Sequence, residues 1–346
     1  MIRKGINSEK TKMINRLLVL RMLCTQQTVS RVEITRQVGL AKMTVSNIIA
    51  ELIANGLICE SDSIDTGRTG AGRKQIGLRI ASGAPLGIGV WMARDFSIAY
   101  LATLDLKILK QYRVDFRPQE DLDTVIGKVV ESIEFLQEGT AQKILGVGLV
   151  SEGPLNSVTG VTFTVPERFG VAEYPLARAL SERLDLPVFL QSEAAAGALA
   201  EHYYGAGRDC ENFAYLGKGA KLAAGLVLED NLVEGRHSFA GQIDPQGTDK
   251  PIPELLEELL PELCRVADPS LLLLGHGLTG MGEVETAALE AKMNAILDEP
   301  GRVPVKIEKA AFGGYAPTYG AVAALFRKIF VGELLYDELF PEGSSR

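Results

Sequence analysis

The sequence predicts an α/β protein in two parts: an N-terminal winged helix-turn-helix followed by a two-lobed α/β body. Three observations carry this. Charge is split along the chain: residues 1–80 hold 13 Lys and Arg against 6 Asp and Glu, a net of +7, whereas residues 81–346 hold 23 against 38, a net of −15. The apolar spacing of the first part is helical, with a glycine turn before a third helix. From about Ala84 the pattern switches to apolar strand runs followed by amphipathic helices, and this plan occurs twice. The net charge of −8 over 346 residues averages two opposed parts, so it does not by itself exclude a nucleic-acid partner. The expected division is 1–80 and 81–346.

The first helix spans about 9–23, with Met13, Ile14, Leu17, Leu18 and Met22 near helical spacing. Thr25-Gln26-Gln27-Thr28 ends it. Ser30 is placed to cap a short second helix, about Arg31–Gln37, with Glu33 completing a capping box and Val32, Ile34 and Val38 on the apolar face. Gly39 makes the turn. The third helix, about Lys42–Asn55, buries Val45, Ile48, Ile49, Leu52 and Ile53, and Gly56 closes it. Its start, Gly39-Leu40-Ala41, lacks a Ser or Thr cap, which forfeits about 1 kcal/mol. Leu57–Glu60 and Lys74–Leu78 then read as a hairpin whose tip, Thr66–Lys74, is rich in glycine and basic residues.

In the body, Leu86–Met92, Ser97–Leu104 and Leu109–Phe116 form an antiparallel meander. Asp121–Glu138 is an amphipathic helix, Ile144–Ser151 a buried strand, Tyr174–Leu184 a helix, Pro187–Gln191 a strand and Ser192–Tyr204 an Ala-rich helix. The second half repeats the plan. Strands at Asn212–Leu216, Ala223–Glu229 and Leu232–Val233 precede a helix at Ile252–Cys264 and a strand at Ser270–Leu274. A helix at Glu283–Leu297, a strand at Val303–Lys309 and a helix at Ala316–Phe330 follow. Two such lobes imply a cleft between them. The tail from Val331 is amphipathic and is expected to pack on the body or on a partner subunit.

Other classes are excluded by composition. Apolar runs such as Leu271–Leu274 are far too short to span a membrane. The N-terminal residues lack the apolar stretch of a signal peptide, so a cytoplasmic location is expected. Cys24, Cys59, Cys210 and Cys264 are scattered with no C-x-x-C spacing, which argues against a zinc site or a disulfide framework.

Several segments, taken in order and spacing, resemble the ROK family of repressors and sugar kinases. Thr44-Val45-Ser46 followed by Ala50-Glu51-Leu52, with the Gly67–Lys74 wing, is similar to its repressor branch, which includes the xylose and N-acetylglucosamine repressors. Leu184-Asp185-Leu186-Pro187-Val188-Phe189-Leu190 before the Ala-rich helix, Gly205-Ala206-Gly207, Leu226-Val227-Leu228 and Phe239-Ala240-Gly241-Gln242-Ile243 extend the resemblance over nearly the whole chain. The resemblance implies an actin/hexokinase-like fold for the body.

The chemistry of the kinases in that family is nevertheless eroded here. Phosphoryl transfer needs glycine loops that cradle phosphate. Gly89 stands where the resemblance implies an Asp, and Trp91 and Met92 fill the glycine positions, which should block close backbone approach. Gly275-His276-Gly277 resembles a nucleotide-contacting turn, although a strand-to-helix turn favours glycine in any case. Ser192-Glu193 replaces the family's Asn-Asp pair that holds the catalytic base; a helix-start pair is the competing reading. Gly241-Gln242-Ile243-Asp244-Pro245 lacks the family's Glu and His, so no metal is expected. The sugar-contacting positions depart as well, at Glu167, Ser192 and Gln242. His202 and His237 read as polar groups near the cleft or as surface histidines.

These readings converge on a DNA-binding transcriptional regulator, expected to be a repressor and not an enzyme. Lys42, Thr44, Ser46 and Asn47 would read base edges, and Arg68, Arg73 and Lys74 would contact phosphate or the minor groove of a double-stranded DNA operator. A sugar or sugar-derived effector is expected in the interlobe cleft at Gly153, Glu167, Ser192, Glu193 and Gln242, with a homodimer or homotetramer as the assembly, and no cofactor or membrane partner. Two alternatives stay open: a sugar kinase with an added DNA-binding domain and Glu193 as base, and a regulator without effector whose body is an oligomerisation scaffold.

Overall fold

The computed structural model describes residues 8–26, 28–64, 75–163, 169, 172–219, 221–243, 250–333 and 336–340. In the front unit, α1 (Ser8–Thr25), β1 (Val29–Ser30), α2 (Arg31–Val38) and α3 (Lys42–Ala54) lead into an antiparallel pair, β2 (Ile58–Ile64) and β3 (Gln75–Ile80). The order is β1-β3-β2, with Val29 opposite Leu78. β1 escapes sequence reading because two residues show no alternation. The Glu33 amide donates to Ser30 Oγ (3.2 Å), but the Glu33 carboxylate turns to Arg36 and Gln37, so only half of the expected capping box forms. Gly39 turns the chain at φ +67°, a left-handed conformation open to glycine at little cost. Ala41 leaves α3 without a side-chain cap.

Val45, Ile48, Ile49 and Leu52 are buried, as read from the sequence, whereas Ile53 is 36% exposed and Ile14 and Val32 also face solvent. A short helix offers one stripe to a small core, and these residues lie beside that stripe. α1 does the opposite: Leu17, Val19, Leu20, Leu23 and Cys24 are buried around more than one face, because α1 packs on the front unit and on the last long helix of the body at once.

The first lobe follows with β4 (Leu86–Met92), β5 (Phe96–Thr103), β6 (Ile108–Asp115), α4 (Leu122–Gln137), β7 (Ile144–Ser151), the short pair β8 (Leu155–Asn156) and β9 (Val161–Thr162), α5 (Leu176–Leu184), β10 (Val188–Ser192) and α6 (Glu193–Tyr204). Its sheet runs β10-β7-β4-β5-β6, with β4, β5 and β6 antiparallel and β7 and β10 parallel to β4. The second lobe has β11 (Phe213–Lys218), β12 (Leu222–Leu228), β13 (Asn231–Val233), α7 (Ile252–Ala267), β14 (Leu271–Leu274), α8 (Glu283–Ile296), β15 (Lys306–Lys309), α9 (Ala316–Phe330) and α10 (Tyr336–Leu339). Its sheet runs β13-β12-β11-β14-β15 with the same parallel and antiparallel pairings, so the two lobes share one topology. β15 starts at Lys306 and not at Val303: Pro304 has no N–H to give a ladder, and the Val305 amide donates to Asn294 Oδ1 (2.9 Å).

The lobes exchange helices. α6 packs on β11 and β12, α9 packs on β4 and β7, and the two helices lie against each other between the sheets. One apolar cluster runs from α1 and α3 through α6 and α9 to Phe340, while separate clusters fill the outer face of each sheet. No helix among the described residues is long and apolar enough to cross a membrane.

Candidate functional site

Two places concentrate unusual chemistry. The first lies where the carboxyl ends of the parallel strands from both lobes meet, the usual ligand position in open α/β sheets. Trp91 at the end of β4 donates its indole N–H to Glu193 Oε1 (2.7 Å). Glu193 Oε2 stands 3.8 Å from His276 Nε2, and His276 Nδ1 lies 3.1 Å from the buried Tyr215 hydroxyl, which also accepts from the His276 amide (3.0 Å). A Cβ on Gly219 would stand 2.6 Å from the same Glu193 oxygen, so the β11–β12 turn closes over the carboxylate. Glu152, after β7, is pushed up to about 7, first by burial and then by the Glu193 charge.

Ser192 occupies the N-cap position of α6 but makes no side-chain cap bond. Its neighbour Glu193 is more than a helix-start residue: its carboxylate joins Trp91 of the first lobe and faces a separate His276–Tyr215 pair of the second, whose Nε2 makes no hydrogen bond among the described residues. A second link lies further along. Glu234 Oε1 accepts from Gln191 Nε2 (2.9 Å) and Ser157 Oγ (3.0 Å), and Oε2 accepts from Arg327 on α9 (3.4 Å).

The second place is the outer face of α3. Lys42, Ser46 and Asn47 are exposed and Thr44 is half-buried. Thr44 and Asn47 line a groove against Lys12 and Asn15 of α1. α3 is held from behind: Arg16 of α1 grips the Glu51 carboxylate with two nitrogens (Nε to Oε2, 2.8 Å), donates to the Tyr336 hydroxyl (2.8 Å), and lies over the Phe340 ring. Asn55 donates to the Leu339 carbonyl (3.3 Å). The tail thus packs on the front unit of its own chain.

Residues 88–244 match the ROK family. The chain carries a ROK family domain. The putative xylose repressor of Caldicellulosiruptor sp. (strain Rt8B.4) is 29% identical over 244 residues, covering 68% of this chain and 59% of the repressor, so the match spans less than two thirds of that relative. A ROK family transcriptional regulator described as a homolog of the E. coli MLC protein superposes with a TM-score of 0.71 at 20% identity, over 95% of this chain and 99% of its own. The ROK hexokinase from Thermus thermophilus gives 0.60 at 20% identity, over 70% of this chain and 99% of its own. Regulator and kinase share the actin/hexokinase-like fold, so function has to be argued from the sites.

Within the ROK domain, the structure brings Ser192 and Glu193 together with Glu152. Gly153 is exposed in the turn after β7, and Gln242 is exposed and makes no side-chain hydrogen bond among the described residues. Glu167, Arg68, Arg73 and Lys74 lie outside the described residues. His202 is not near the cleft: it is buried at the far end of α6, against the front unit. Sequence reasoning treated Trp91 only as an obstruction and His276 only as a turn residue, and it missed Tyr215 and Glu234. The signal for Tyr215 was faint, since one Tyr inside an apolar strand reads as core.

Proposed function

We propose that this chain is a sequence-specific DNA-binding transcriptional regulator, a repressor controlled by a small molecule in its interlobe cleft. The observation that carries the reading is the polar outer face of α3, Lys42, Ser46 and Asn47, on a helical front unit joined to a ROK domain whose named relatives include a repressor. In this reading residues 1–80 are a winged helix-turn-helix. α3 enters the major groove of a double-stranded operator, the β2–β3 hairpin is the wing, and Arg68, Arg73 and Lys74 contact the backbone or minor groove. Residues 81–346 bind the effector through Gly153, Glu167, Ser192, Glu193 and Gln242 and assemble the chain as a homodimer or homotetramer. Effector binding changes the angle between the lobes and hence the spacing of the paired reading heads, a coupling between sites and not a reaction.

The same reading makes the body non-catalytic. A sugar kinase needs a free carboxylate oxygen to take the proton of the attacking hydroxyl and an open backbone turn for phosphate. The Trp91 indole takes Glu193 Oε1 and leaves only Oε2 for such a proton, and by the family resemblance Trp91 fills a glycine position of that turn, which is the stronger obstacle. Incubation with ATP and a panel of hexoses and amino sugars should give no phosphorylated product; phosphorylation lost in Glu193→Gln would overturn this part. For the DNA part, Asn47→Ala should weaken binding by about 1–3 kcal/mol and relax sequence preference at one position. Arg68→Ala with Arg73→Ala should weaken all duplexes alike and flatten the salt dependence. Unchanged affinity in both would refute the assignment.

A further inference from the structure

A cavity of about 240 Å³ lies at the seam between the front unit and the second lobe, well away from the interlobe cleft. Its walls come from α1 and α2 on one side, including Arg21 and Gln37, and from the end of α6, the loop after it and the β12–β13 turn on the other. His202 lines it, is more than nine-tenths buried, and has an Nδ1 with no hydrogen-bond partner among the described residues. A buried polar atom left without a partner is uncommon, but Nδ1 has almost no accessible surface and does not itself open onto the cavity. Burial holds the imidazole down at about 4, so near neutral pH the ring is uncharged and offers one donor and one acceptor.

The charged lining is balanced. Arg21 and Arg208 supply two cations, Asp209 and Asp230 two anions. Arg21, Asp209 and Asp230 form no ion pair among the described residues, and Arg208 reaches only the Thr25 carbonyl (3.4 Å). A simple anion would meet two carboxylates here, and a simple cation two guanidinium groups. We infer that this seam is a binding site for a small zwitterion, an amino acid or a metabolite of that kind, whose acidic group faces Arg21 and Arg208 and whose ammonium faces Asp209 and Asp230. The bound molecule would touch the front unit and the second lobe at once. This claim is independent of the effector assigned to the cleft and of DNA binding.

Calorimetric titration of the full chain with the free amino acids one at a time, and with inorganic phosphate and methylamine as single-charge probes, tests it. At least one amino acid should bind saturably, and phosphate and methylamine should bind at least tenfold more weakly. Arg208→Gln and Asp230→Asn should each weaken the amino acid at least tenfold. Both positions are exposed, and Asp230 has φ +61°, a conformation that Asn adopts readily, so both variants should fold. Binding of no amino acid, binding that survives both substitutions, or phosphate binding as tightly would each overturn the inference.

Discussion

At Glu193 the carboxylate accepts from the Trp91 indole at 2.7 Å and faces His276 Nε2 at 3.8 Å, beyond hydrogen-bond reach. Trp91 is the only tryptophan of the chain, so its fluorescence reports on the cleft directly. Trp91→Phe keeps most of the apolar contact and removes the N–H, which should lower stability by about 1–2 kcal/mol, read as a lower urea midpoint at unchanged slope. An unchanged midpoint would mean that the bond does not contribute. Glu152 gives a pH signature in the same place. Its carboxyl is raised from an ordinary 4.5 to about 7, so between those values the folded state holds a proton that the unfolded chain has released. The stability contributed by Glu152 is therefore present below about 4.5 and is lost as pH rises through 7. Glu152→Gln should remove that decline from a plot of unfolding free energy against pH; an unaltered slope would contradict the assignment. None of this was legible from residue types: Ser192-Glu193 looked equally like a helix start, because only the fold brings β4 and β14 to it.

Among the elements, α6 and α9 form the joint between the lobes. Gly320 of α9 makes their close approach possible, since a Cβ there would stand 2.1 Å from the Ala196 carbonyl of α6. Gly320→Ala should cost at least about 1–3 kcal/mol by forcing the helices apart, measured by urea unfolding; native-like stability would show that the joint yields freely. Long elements were legible almost to their ends. Leu86–Met92, Ile144–Ser151 and Ala316–Phe330 match the sequence reading because strand runs with both faces covered and a long helix buried on nearly every side leave strong apolar patterns. The exchange of α6 and α9 between sheets left no such trace, nor did β1, which exists only through its pairing with β3. The tail was read as amphipathic, but its partner came only with the structure. Arg16, on a helix with buried residues on several faces, joins Glu51, Tyr336 and Phe340. Tyr336→Phe should leave the fold intact and speed hydrogen exchange in α1 and α3; unchanged exchange would show that the tail does not steady the front unit.

For the molecule as a whole, the division of charge is the property that composition revealed first. A net of +7 before residue 81 and −15 after it should orient the chain on a duplex, with the front unit attracted and the body repelled. The measurement that tests this account most directly is a fluorescence anisotropy titration of the full chain against duplexes selected from a random pool, repeated from 50 to 200 mM salt. The account predicts one enriched sequence bound at least about a thousandfold more tightly than unrelated DNA, with affinity falling steeply as salt rises and preference reduced by Asn47→Ala. Equal binding to all duplexes, or none at low salt, would contradict it.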